Sequence, residues 1–138
     1  MQVGIKFSTA IHIVLAACFF KDEKATSEFI AGSINTNPVI VRRLLGTLKA
    51  AGLVNVVAGV GGVSLAKEPK DITLLQIFNA VNDKEKLFKI HSDSPKACPL
   101  GSKIEGLLTG HFLKAQEALE NSLRSITLQD LLDELINL

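Results

Sequence analysis

Arg42 and Arg43 stand side by side in a segment whose apolar residues are spaced for a helix, and their chemistry is that of recognition. A guanidinium carries its N–H donors in a planar fork that can bond a guanine edge in a bidentate way or hold a phosphate. The elements that must position this pair are legible around it. Asn37 reads as an N-cap, with Pro38 at the first helical position, where its missing N–H costs nothing. Val41, Leu44, Leu45 and Leu48 recur at i, i+3, i+4 and i+7 and form the buried stripe. At about 100° per residue, Val39, Arg42, Arg43, Gly46 and Ala50 fall on the opposite side, with Val39 placed to touch a thymine methyl. Gly52 supplies the stop.

A short helix and a tight turn precede this segment in the stretch that begins at Thr26. After it come two β-branched runs, Leu53 to Val57 and Val63 to Leu65, with Gly59, Gly61 and Gly62 between them. The order predicts a helix-turn-helix with a wing, a device for placing one helix in the DNA major groove. The residues expected to meet double-stranded DNA are Thr36, Asn37, Val39, Arg42, Arg43 and the backbone at Gly59, Gly61 and Gly62. The competing reading is an ordinary helical hairpin followed by an ordinary β-hairpin. Agreement of cap, stripe, turn and wing favours the first.

Composition bounds the rest. A chain of 138 residues holds one domain plus an accessory element, and 47% hydrophobic residues suffice for a core. The net charge of +1 says little about nucleic acid, but its distribution says more. Between Asn35 and Lys67 stand Arg42, Arg43, Lys49 and Lys67 and no acid, while Asp130, Asp133 and Glu134 gather in the tail. A solvated basic face is the bland alternative. The apolar run from Ala10 to Phe20 is too short to span a bilayer. Its Leu15-Ala-Ala-Cys18 also matches a lipoprotein cleavage box, but Phe19-Phe20-Lys-Asp-Glu is no flexible tether, so a buried helix is expected. There is no phosphate-binding loop, metalloprotease pair or nucleophile constellation, so no enzyme is expected.

Two further helices announce their starts: Thr73 with Gln76, and Thr127 with Asp130. Between them, Ile104, Leu108, Phe112, Ala115, Leu119 and Leu123 form a coiled-coil-like stripe on a long helix. So long a stripe predicts a homodimer, which would set two recognition helices about one DNA turn apart. Folding of this helix back onto its own domain is the alternative. The expected fold is mostly α with a small β-hairpin wing, a winged helix-turn-helix plus a long dimerisation helix. Its parts are a DNA-binding domain over 1–82, a linker and sensor segment over 83–101, and a dimerisation helix with a C-terminal helix over 102–138.

The chain resembles the bacterial winged-helix regulators that include IscR, NsrR and CymR. The matching segments are Lys6 to His12, Val41 to Leu53, the Gly59 to Gly62 wing, Asp71 to Leu75 and Ser125 to Leu128. Asn35 to Val39 with Arg42-Arg43, and Cys98-Pro-Leu-Gly101, are most similar to the YwnA-like subgroup. The resemblance implies a homodimeric, cytoplasmic DNA-binding regulator, expected here to be a repressor. Two departures matter. Ala58 stands where many relatives carry a wing arginine, which shifts specificity onto the recognition helix. Cluster-binding relatives have three closely spaced cysteines before the long helix, and this chain has Cys98 alone there.

No cofactor or metal is therefore expected. Cys98, beside Lys96 and ahead of the long helix, and His91 are the candidate sensor residues for an oxidant or small-molecule effector. A packing role for Cys98 explains the same residue. His91, Asp93, Cys98 and His111 match no strong metal-ligand spacing. A winged protein-interaction module without DNA binding is the functional alternative.

Overall fold

The computed structural model describes residues 2–21, 23–57, 62–83 and 85–138. Six helices and one hairpin follow in the order α1 (Val3–Phe19), α2 (Ser27–Ile34), α3 (Pro38–Ala50), β1 (Val54–Val57), β2 (Gly62–Leu65), α4 (Leu74–Val81), α5 (Ile104–Arg124) and α6 (Leu128–Ile136). A single 3-10 turn at Pro69–Asp71 joins the hairpin to α4.

α1 is the spine of the core. Thr9, Ala10, Ile13, Val14, Ala16 and Ala17 form its buried face, and the alanines let α3 and α4 pack close. The Thr9 hydroxyl donates to Ile5 O at 2.7 Å, so its burial leaves no orphan polar group. Leu15 to Cys18 thus lies within a core helix, as the apolar run predicts. Phe7 meets Phe78 of α4 edge-on at 5.1 Å, and the Lys6 ammonium donates to Val81 O at 3.3 Å at the C-terminal end of α4. The predicted stripe of α3 is the wall opposite: Val41, Leu44, Leu45 and Leu48 are all buried.

The two capping boxes do more than start helices. The Thr73 and Thr127 side chains each accept from the backbone three residues on, at Gln76 and Asp130. The two segments also lie antiparallel to each other. Leu74 N donates to Ile126 O at 2.9 Å and Leu128 N donates to Ile72 O at 2.8 Å. This clasp begins α4 and α6 side by side and leaves Leu128 with 0% exposure.

The clasp sets the two helices of the segment 102–138 in different surroundings. α6 packs against α1 and the 69–71 turn, while α5 buries no residue fully and meets the core through α4 and Leu123. No residue of α5 is fully buried: Ile104, Leu108, Phe112, Leu119 and Leu123 are half-covered, and Ala115 is exposed. Leu107 and Leu113 are exposed as well. The linker lies along the helix, with Phe88 and Phe112 rings 5.7 Å apart and Leu87 N donating to Gln116 Oε1 at 3.3 Å.

Candidate nucleic-acid interface

The helix-turn-helix is built by local chemistry. Thr26 Oγ1 accepts from Phe29 N at 3.1 Å and starts α2. Asn35 ends it in the left-handed region at φ 65°, a conformation asparagine tolerates, and so turns the chain within two residues toward α3. Asn37 Oδ1 then accepts from Val39 N at 2.9 Å, and Pro38 opens the helix. Gly52, at φ 77°, closes it and releases the chain into β1.

With the stripe of α3 buried, its other face is open. Val39, Arg42, Arg43, Gly46, Lys49 and Ala50 are all exposed, Val39 by 49%. Asn37 is exposed too, with its carbonyl committed to the cap, while Thr36 is half-buried. A shallow cleft of about 470 Å3 runs between Arg42, Gly46 and Lys49 of α3, Thr26 to Glu28 at the start of α2, and Val56, Val57 and Gly62 of the hairpin. Basic and apolar groups thus share one concave surface beside the wing.

The wing supports part of the expectation. The strands pair antiparallel in the register Val54↔Leu65, Asn55↔Ser64, Val56↔Val63 and Val57↔Gly62. Gly59 and Gly61, with Ala58, lie outside the described residues. Gly62 is buried, and its backbone lines the cleft beside α3. Its φ is 78°, and a Cβ there would stand 3.2 Å from Ala25 N. Val63 N donates to Ala25 O at 3.0 Å, so Gly62 is where the hairpin docks on the α1–α2 turn. Steric need alone is enough to require glycine here.

Sequence reasoning missed Glu28. Its Oε1 accepts from Arg42 Nη1 at 3.0 Å across the cleft, although the stretch holding the arginines contains no acid. Nothing in the linear pattern signals this pair. Arg43 has no ion-pair partner among the described residues.

The candidate sensor residues do not gather into a site. His91 and Cys98 are both exposed, and no three His, Cys, Asp or Glu side chains meet among the described residues. Cys98 sits in a tight turn whose amides face its sulfur. Gly101 N donates to Sγ at 3.3 Å, and the N–H groups of Gly101 and then Leu100 hold the thiol below its ordinary pKa. Turn amides do what the sequence assigned to Lys96 and the helix end. Cys18 is the opposite case: burial pushes its thiol up, and its Sγ donates to Leu15 O within α1. His12 is bonded across to Ser33 Oγ at 2.9 Å and ties α1 to α2.

Comparison with known proteins agrees with this geometry. The family described as Rrf2, iron-dependent transcriptional regulator, matches residues 3–134. The HTH-type transcriptional regulator YwnA of Bacillus subtilis (strain 168) is 43% identical over 134 residues, spanning 97% of this chain and 99% of that protein. A solved structure described as a DNA binding protein is 42% identical, with a TM-score of 0.75, covering 92% of this chain and 98% of the other. T. potens IscR, 24% identical over 97% of this chain and 85% of its own, shares the fold at a TM-score of 0.68.

Proposed function

Because the chain belongs to the Rrf2 family of transcriptional regulators, we propose that it acts as a homodimeric, cytoplasmic repressor that inserts α3 into the major groove of its operator. The observation that carries this reading is the open face of α3. Val39, Arg42 and Arg43 stand exposed on a helix whose opposite side is locked into the core, beside the cleft that leads to the wing. A recognition helix must be rigid at its back and free at its front, and this one is both. Arginine donors suit guanine edges and phosphates, and Val39 suits a thymine methyl. Gly59, Gly61 and Gly62 are the proposed wing contacts to the neighbouring phosphates.

The stripe of α5 supports the dimer. Ile104, Leu108, Phe112, Leu119 and Leu123 are each half-covered within one chain, with Ala115 open between them. A second copy covers such a stripe by two-fold symmetry, and two copies of α3 then reach successive turns of the duplex. The linker 83–101 joins reader to stem and carries Cys98 and His91. We place entry of an oxidant or small-molecule signal there, acting on the angle between the two recognition helices.

The family is described as iron-dependent, and the residues here do not fit an iron–sulfur cluster. Such a cluster takes four donors around one centre. The two cysteines of this chain lie apart, Cys18 half-buried in α1 and Cys98 in the exposed turn of the linker. No step of the proposed action runs through iron.

A salt-dependent anisotropy titration with duplexes selected from a random pool tests the reading. The expected result is enrichment of a two-fold symmetric site, with affinity that falls steeply as salt rises. Failure to enrich any duplex refutes DNA reading and favours the winged interaction module.

A further inference from the structure

One acidic side chain reaches the basic face of α3. Glu28 lies in the first turn of α2, where the free amides of the helix end favour a carboxylate. The Thr26 cap fixes the turn that carries it. From there Glu28 Oε1 meets Arg42 Nη1 at 3.0 Å, on a different helix, so the fold makes the contact and local spacing does not. The side chains are 52% exposed for Arg42 and 69% for Glu28. An exposed pair of this kind contributes little to stability. Its consequence lies in what it leaves Arg42 able to bind.

We infer that Glu28 is a specificity-determining residue that acts through Arg42, an assignment that rests on α3 being the DNA-reading helix. Three effects lead there. The carboxylate cancels the arginine charge, so a phosphate gains from Arg42 only by displacing Glu28. The bond engages one Nη1 donor and leaves Nε and Nη2 free, and a guanine edge can use those while the carboxylate stays. The long side chain is also held before binding, which removes part of the rotamer freedom otherwise lost on reading a base. Glu28 thus weakens Arg42 at every phosphate and preserves it at the matching base pair. Arg43, beside it, supplies the sequence-independent attraction.

The test uses the full chain, its selected operator and a scrambled duplex of the same length, across a salt series. Glu28→Gln keeps the shape and removes the charge. It should bind the scrambled duplex up to about eightfold tighter near 0.1 M salt, with a salt slope steeper by about 0.9, the gain of one phosphate contact. Preference at the base pair read by Arg42 should shrink together with that gain. Arg42→Ala should lose preference at the same base pair, and adding Glu28→Gln to it should change neither slope nor preference. Unchanged scrambled-duplex affinity in Glu28→Gln overturns the assignment. So does an equal gain in the Arg42→Ala background, which would make Glu28 a bulk charge. Wild-type protein without salt-dependent binding to either duplex overturns the DNA-reading function itself and the assignment with it.

Discussion

Replacing Gly62 by Ala should uncouple the wing from the core, and the cost can be worked from two local observations. The first is conformational. At φ 78° an L-residue sits in the left-handed region, which costs roughly 1–2 kcal/mol. The second is steric. The new Cβ would stand 3.2 Å from Ala25 N and 3.4 Å from Ala25 O. Those atoms are backbone, they belong to a buried residue, and Val63 N already bonds to that oxygen at 3.0 Å. The neighbour cannot swing aside, so the contact adds about 1–2 kcal/mol of overpacking. The total is about 2–4 kcal/mol. Gly52 is the internal control: its φ is 77°, but no atom lies within 4 Å of a Cβ placed there. Gly52→Ala should therefore cost only the conformational part, roughly 1–2 kcal/mol. The gain from a stiffer unfolded chain is common to both variants and drops out of the difference. Urea unfolding of both variants at one protomer concentration measures that difference, provided the m-values match. Equal losses in the two variants, or a smaller loss at Gly62, would refute the docking argument.

Leu128→Ala should cost about 2–5 kcal/mol in the same assay, because Leu128 is wholly buried beside the clasp; a loss of about 0.5 kcal/mol or less, as at a surface position, would contradict its place in the core. Leu108→Lys should convert a sedimenting dimer into monomers or insoluble protein, and an intact soluble dimer would remove α5 as the interface. Alkylation should separate the two cysteines by pH. The thiolate is the reactive form, Cys98 is held below and Cys18 above the ordinary thiol pKa, so the rise of the Cys98 rate with pH should begin at a lower pH than that of Cys18. A Cys98 profile that coincides with that of an unstructured thiol would contradict the turn geometry. Operator affinity of wild type and Cys98→Ser before and after peroxide tests signalling, and equal responses would remove Cys98 as a sensor.

Much of this protein was legible because its signals are satisfied within one helical turn. Asn37, Thr73 and Thr127 cap the helices that their types and spacing announce. Gly52 takes the positive φ of a helix stop, and the stripe at Val41, Leu44, Leu45 and Leu48 is buried as its period requires. Periodicity also showed which face of α3 is open, since burying one side of a helix exposes the other. The open face of α3 was therefore available from the sequence alone. So were the order of elements and the apolar stripe of α5.

Only the tertiary structure decided which residues meet across elements. It placed Glu28 on Arg42, set Gly62 against Ala25, and joined Ile72-Thr73-Leu74 to Ile126-Thr127-Leu128, returning α6 to the reading domain. It also turned the amides of residues 100 and 101 toward the Cys98 sulfur, where the sequence offered a nearby lysine and the start of the long helix. The physical reason is common to the first three, the turn at Cys98 being local and outside the core. A pattern along the chain states that a face must be covered or a group must be paired, but not by what. The partner is chosen when the core closes and fixes the relative position and angle of the helices, and that choice is a property of the whole packed chain.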